Sequence, residues 1–108
     1  MVGLTEESAA AQGIGYEIGR GWFAGNARAT IAGATDGLVK LVFGRDDRNL
    51  LGVHVLGDNA TELVHQGQTV LSYGGTIDYF IHSTFNVPTE SEAYKYAAYD
   101  GLQRRQAR

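Results

Sequence analysis

Cysteine is missing altogether from these 108 residues, and proline occurs once. Without cysteine there is no disulfide framework, no thiolate zinc site and no redox-active thiol pair within the chain. One proline against fifteen glycines leaves little stiff linker and room for many tight turns. Excess positive charge is lacking too, since nine Lys and Arg face twelve Asp and Glu for a formal charge of −3. A phosphate backbone needs a clustered basic field, so no nucleic-acid partner is expected. No apolar run approaches the roughly 18 residues of a membrane span, and no membrane partner is expected either. The start, Met1 to Ala11, is acidic instead of basic and then apolar, so it does not read as a signal peptide and a cytoplasmic setting is expected. What is present is an ordinary globular composition, 44% hydrophobic and 19% charged, over a length that suits one domain spanning residues 1–108.

Local patterns divide the chain into few elements. Thr5 precedes Glu6-Glu7-Ser8-Ala9-Ala10-Ala11, a short helix with a hydroxyl cap, acidic first turn and Gly13 as its stop. Tyr16 to Phe23 alternates, with Tyr16, Ile18 and Trp22 on one side and Glu17, Gly19 and Gly21 on the other, which is strand periodicity. Leu38–Phe43 and Leu50–Leu56 are apolar runs on either side of a polar, turn-forming stretch from Gly44 to Asn49, which reads as an antiparallel hairpin. Asn59 with Glu62 has capping-box spacing, and Ala60, Leu63, Val64, Val70 and Leu71 follow helical spacing until Gly74-Gly75. Thr76–Phe80 suits one or two helical turns. An irregular stretch, His82 to Pro88, leads to Thr89 and Glu92, a second box opening a last helix with Ala93, Tyr94, Ala97, Ala98, Gly101 and Leu102 as its stripe. The fold class is α+β, an antiparallel sheet with helices packed on it.

Self-contained chemistry is absent from this pattern. Gly13-Ile14-Gly15 resembles the start of a dinucleotide fingerprint, but Ile18 replaces its third glycine and a strand follows where a helix N-terminus is needed. His54, His65 and His82 form no i,i+4 pair, and each reads better as structural than as a metal ligand. Ser83 and Ser91 lack the G-x-S-x-G elbow of a hydrolase nucleophile. Asn59-Ala60-Thr61 fits a glycosylation acceptor but is better explained as a helix start. Arg20, Arg28, Arg45 and Arg48 are scattered and read as a solvated face.

Several segments together carry a family likeness. Val2 to Glu7, Gly37 to Leu41, Leu50 to Gly57, Ala60 to Leu63, and Phe85-Asn86-Val87-Pro88-Thr89 through Glu92-Ala93 occur in one order. In that order the chain resembles the C-terminal dimerisation domain of the pyridine nucleotide-disulfide oxidoreductases, FAD enzymes such as dihydrolipoamide dehydrogenase, glutathione reductase and mercuric reductase. Thr76 to Phe80, Ser83 to Asn86, and Pro88-Thr89 with Glu92 to Tyr94 are most similar to the soluble pyridine nucleotide transhydrogenases of that family.

The resemblance implies a fragment of a longer flavoenzyme, inert alone. FAD and NAD(P) would then be bound in the full-length parent, by upstream FAD- and NAD-binding domains of the same chain, and none on this piece. It implies a homodimer, with Asn86, Val87 and Pro88 facing the partner subunit's flavin and Tyr94, Tyr96, Tyr99, Phe80 and Phe85 available for the interface. Thiol-handling members place a catalytic histidine where Val87 stands and orient it with the glutamate matched by Glu92. No catalytic residue is therefore expected here, because an isopropyl group cannot carry a proton. That favours hydride transfer between NADPH and NAD. The alternatives are a dimer domain of a dihydrolipoamide dehydrogenase-like or other disulfide reductase, and a free-standing, non-enzymatic dimerisation module.

Overall fold

Strand pairing sets the frame for everything else. The computed structural model describes residues 1–26, 36–57, 59–83 and 90–107. In chain order these form β1 (Val2–Gly3), α1 (Glu6–Ala11), β2 (Tyr16–Trp22), a 3₁₀ turn (Phe23–Gly25), β3 (Leu38–Gly44), β4 (Leu50–Leu56), α2 (Ala60–Ser72), α3 (Asp78–His82), a 3₁₀ turn (Glu90–Glu92) and α4 (Ala93–Gln106). The sheet runs β1-β4-β3-β2, antiparallel at every described pairing. The expected hairpin is β3–β4, pairing Leu38 with Leu56 and Lys40 with His54, with an irregularity between Val42 and Phe43.

Val39, Leu41 and Phe43 from β3, with Leu50, Val53 and Val55 from β4, bury one sheet face beneath the helices. Leu63 and Val70 from α2, Phe80 from α3, and the expected stripe Ala93, Tyr94, Ala97 and Ala98 from α4 complete the core. β2 is the instructive strand. Its helix-facing side is the glycine side: a Cβ on Gly19 would lie 1.9 Å from the Ala97 carbonyl oxygen, and one on Gly21 would lie 2.1 Å from that of Ala93. Only hydrogen fits there, so α4 lies directly on the β2 backbone. Tyr16, Ile18, Arg20 and Trp22 point to the opposite face. There α1 covers one half, burying Ala9, Ile18 and Val42.

Thr5 caps α1 as its sequence implies, its hydroxyl accepting the Ser8 N–H at 3.0 Å. Asn59 does not cap α2 with its side chain. Its backbone (φ −108°, ψ 24°) is away from the extended geometry that aims a side chain at the first turn, and its carbonyl instead accepts from Leu63 at 3.0 Å. α2 ends where expected, with Gly74 at φ +67°. Among the described residues, no helix is long and apolar enough to cross a membrane.

Candidate functional sites on the two faces of the sheet

The helix layer gathers aromatic side chains on α3 and α4. Phe80 of α3 and Tyr94 of α4 stack with centroids 4.8 Å apart and planes 19° off parallel, and Tyr79 meets Phe80 edge-on at 5.5 Å. The Tyr94 hydroxyl reaches past the core into α2. It donates to the Leu63 carbonyl at 2.5 Å and accepts the Gly67 N–H at 3.1 Å. Those two groups are the i−4 and i partners of an undisturbed helix, so the phenol bridges one rung of the α2 ladder. Burial pushes the Tyr94 phenol up to about 12, because the phenolate would lose its hydration there.

One turn into α4, the Tyr96 hydroxyl donates to the Glu92 carboxylate at 2.9 Å. That bond to a charged acceptor raises the Tyr96 phenol above its ordinary value. Glu92 is thus turned along its own helix, at i,i+4 from Tyr96. Thr89, the cap expected to share a box with Glu92, lies outside the described residues, as do Asn86, Val87, Pro88 and Phe85. Of the five aromatics expected to serve an interface, Phe80 and Tyr94 are core, while Tyr96 and Tyr99 are exposed. Tyr79, about half exposed, adds to that surface. Sequence reasoning left it out because a five-residue helix has too few turns to show a stripe.

The histidines stay apart, on β4, α2 and α3, and no group of three metal-ligating side chains occurs among the described residues. Ser83 donates its hydroxyl to the Tyr79 carbonyl at 2.5 Å, a helix-end bond and not a nucleophile beside a base. Gly13 and Gly15 lead into β2, so the described residues offer no glycine-rich loop opening a helix and no cradle for a dinucleotide pyrophosphate.

The opposite sheet face carries a constellation that the linear sequence conceals. Strand register sets Arg20 beside Lys40 and Lys40 beside His54, one row across β2, β3 and β4. Lys40 is ion-paired with Glu6 of α1, and that bond holds the Glu6 carboxyl below its usual range. His54 Nε2 lies 3.4 Å from the Leu4 carbonyl. The next row is Trp22, Leu38 and Leu56. Between the rows, with Met1 and Val55 closing it, is an open cleft of about 410 Å³. The signal for this row was the hairpin itself: pairing β3 with β4 places position 40 opposite position 54, but only a fixed register shows it.

Comparison with known proteins gives the arrangement its context. Residues 1–98 match the family model described as the pyridine nucleotide-disulphide oxidoreductase dimerisation domain. Soluble pyridine nucleotide transhydrogenase of Pseudomonas syringae pv. tomato is 46% identical over 106 residues, covering 95% of this chain and 23% of that protein. The protein of the same name from Photobacterium profundum is 45% identical over the same share. The chain therefore spans about a quarter of the length of these relatives. Among solved structures, the HOCl-induced flavoprotein disulfide reductase RclA from Escherichia coli superposes with a TM-score of 0.84 at 23% identity, covering 91% of this chain and 22% of that one. LpdA from Mycobacterium tuberculosis gives 0.82 at 21% identity, covering 91% and 21%. At these identities the structures establish the fold.

Proposed function

Because the chain belongs to the pyridine nucleotide-disulphide oxidoreductase dimerisation-domain family, we propose that it is the dimer-forming part of a homodimeric, FAD-dependent transhydrogenase that moves hydride between NADPH and NAD. The observation that carries this reading is 46% identity to a soluble transhydrogenase over nearly the whole chain. The relative's much greater length, of which this chain covers 23%, supports placing FAD and both nicotinamides on upstream domains of the full-length protein. The relatives' designation as soluble fits a cytoplasmic enzyme.

In this reading the helix layer meets its two-fold mate, and the exposed tyrosines Tyr79, Tyr96 and Tyr99 suit a self-complementary surface. Asn86, Val87 and Pro88 face the partner subunit's flavin. Val87 stands where disulfide reductases of the family use histidine, so no proton can be relayed to a thiol from that position. Glu92 supports the same conclusion, since its carboxylate is held by Tyr96 within α4. Hydride transfer between nicotinamides requires no proton carrier from this domain.

The test uses the full-length protein with NADPH as donor. The expected result is rapid reduction of thio-NAD with no turnover of lipoamide or other disulfides. Brisk disulfide turnover overturns the transhydrogenase reading in favour of a disulfide reductase's dimer domain. A gene encoding no flavin-binding region ahead of Met1 overturns it in favour of a free-standing module.

A further inference from the structure

Among the described residues every positive-φ position belongs to a glycine except one, Arg48 at φ +62° in the tip of the β3–β4 hairpin. An L side chain is disfavoured there and glycine is not, so what the arginine reaches has to account for it. Its side chain and its carbonyl reach the same place. The guanidinium meets the Asp78 carboxylate at 3.2 Å, and the carbonyl accepts the Ile77 N–H at 3.1 Å. Beside them the Leu50 N–H donates to the Gly75 carbonyl at 3.0 Å, and Asn49 bridges to Thr76. The tip is braced from within. The Arg48 N–H donates to the Gly44 carbonyl at 3.0 Å, and the Asp47 carboxylate accepts the Asn49 N–H at 2.9 Å. A braced tip is thus stitched to the link that leads into α3.

α3 depends on such a hold. Five residues make too short a helix to persist alone, and no side chain of Ile77 caps its start. Ile77 and Phe80 sink its inner side into the core, while Asp78 stays partly exposed and Tyr79 about half exposed on its outer side. Apolar contact is non-directional and leaves a short helix free to roll about its axis, which a tether at the outer rim prevents. Asp78 is where that tether attaches, one residue from Tyr79. We infer that Arg48 is a positioning residue for the two-fold contact: through Asp78 it fixes the roll of α3, and with it the direction in which Tyr79 is offered to the partner subunit. The inference rests on the homodimer reading above. A partly exposed ion pair is a weak bond, so its part is to select one orientation of α3 and not to hold the domain folded.

The experiment compares the full-length protein with its Arg48→Gly variant, in which glycine keeps the turn without strain and only the tether's side chain is lost. Subunit exchange between isotope-labelled and unlabelled dimers is followed by native mass spectrometry. The expected result is exchange at least about threefold faster in Arg48→Gly, the scale of one exposed ion pair, and at the parent's rate in Arg48→Lys, which keeps the charge. In a Tyr79→Ala background, adding Arg48→Gly is expected to change the rate no further, because the two residues act on one contact. Unchanged exchange in Arg48→Gly overturns the inference, and so does an Arg48→Lys variant as fast as Arg48→Gly. A full further acceleration in the Tyr79→Ala background also overturns it, since Arg48 then acts by a route other than Tyr79. A full-length protein that is monomeric is the failure of the homodimer reading and takes this role with it, whereas a dimer with unchanged exchange is the failure of the tether alone.

Discussion

Replacing Tyr94 with phenylalanine removes one oxygen atom from the centre of the helix layer, and the consequence can be worked out in advance. The ring stays, so its stacking on Phe80 stays. What goes is the bridge between the Leu63 carbonyl and the Gly67 N–H, at 2.5 and 3.1 Å. Two hydrogen bonds at a net contribution of about 1 kcal/mol each set the expected loss near 2 kcal/mol. Were both groups left wholly unpartnered, the cost would climb towards 1–3 kcal/mol apiece, roughly double that figure. Were α2 to close its own rung, the cost would fall towards zero. Gly67 opposes closure, because it packs against Val53 so closely that a Cβ would lie 2.7 Å from the valine methyl.

For a chain of this length an unfolding entropy of about 2.1 cal/mol/K per residue converts 2 kcal/mol into a fall in Tm of about 9 °C. Thermal and urea denaturation of the 108-residue protein measure it, and amide exchange at Gly67 locates it. A fall of less than about 2 °C with Gly67 exchange unchanged would refute the bridging role of the phenol.

Three further outcomes follow from the same contacts. The folded Tyr94 phenol loses its proton near 12 and the unfolded one near 10, so its contribution is intact below pH 10 and drains away between pH 10 and 12. Urea midpoints at both ends of that window should show the gap of about 2 kcal/mol between the parent and Tyr94→Phe closing as pH rises, and a constant gap would contradict the assignment. Gly19→Ala places a methyl on the Ala97 carbonyl and should cost about 3 kcal/mol or more by urea denaturation, whereas Gly74→Ala, in open space at φ +67°, should cost only about 1 kcal/mol. Glu6 is held ionised by Lys40, so the pair stabilises above the ordinary carboxylate pKa and is lost as pH falls through the lowered one. Lys40→Met should therefore narrow the stability difference between pH 7 and pH 3, by less than about 1 kcal/mol for so exposed a pair, and an unchanged difference would rule the pair out as a contributor.

Local chemistry made much of the fold readable. Thr5 announced α1, the polar Gly44–Asn49 stretch announced the β3–β4 hairpin, and the alanine and glycine stripe of α4 is the buried one. The two-residue β1 was not readable, because two residues have no period. The sidedness of β2 was not readable either. Its apolar residues fall on the outer face and its glycines face the helix, the reverse of what hydrophobicity suggests, because α4 needs closeness there more than it needs bulk. The Asn59 box failed on a backbone angle that composition does not encode. Of the candidate sites, the Glu92–Tyr96 pair was available from i,i+4 spacing, whereas the Arg20–Lys40–His54 row exists only after three strands have found their register.

The seating of α4 on β2 also dictates an order of events. The Arg20 N–H on the outer edge of β2 is accepted by Asp100 of α4 at 2.9 Å, across a separation of 80 residues, and the Gly19–Ala97 contact closes a loop almost as long. Contacts so distant along the chain repay their loop-closure entropy late, which slows folding compared with a protein of local contacts. On a ribosome the strand is made well before its covering helix, so β2 must wait with its backbone edge open until synthesis has passed Gly101. Whatever protects the nascent protein during that interval has to shield an unpaired strand edge, and that need ends when the last helix docks.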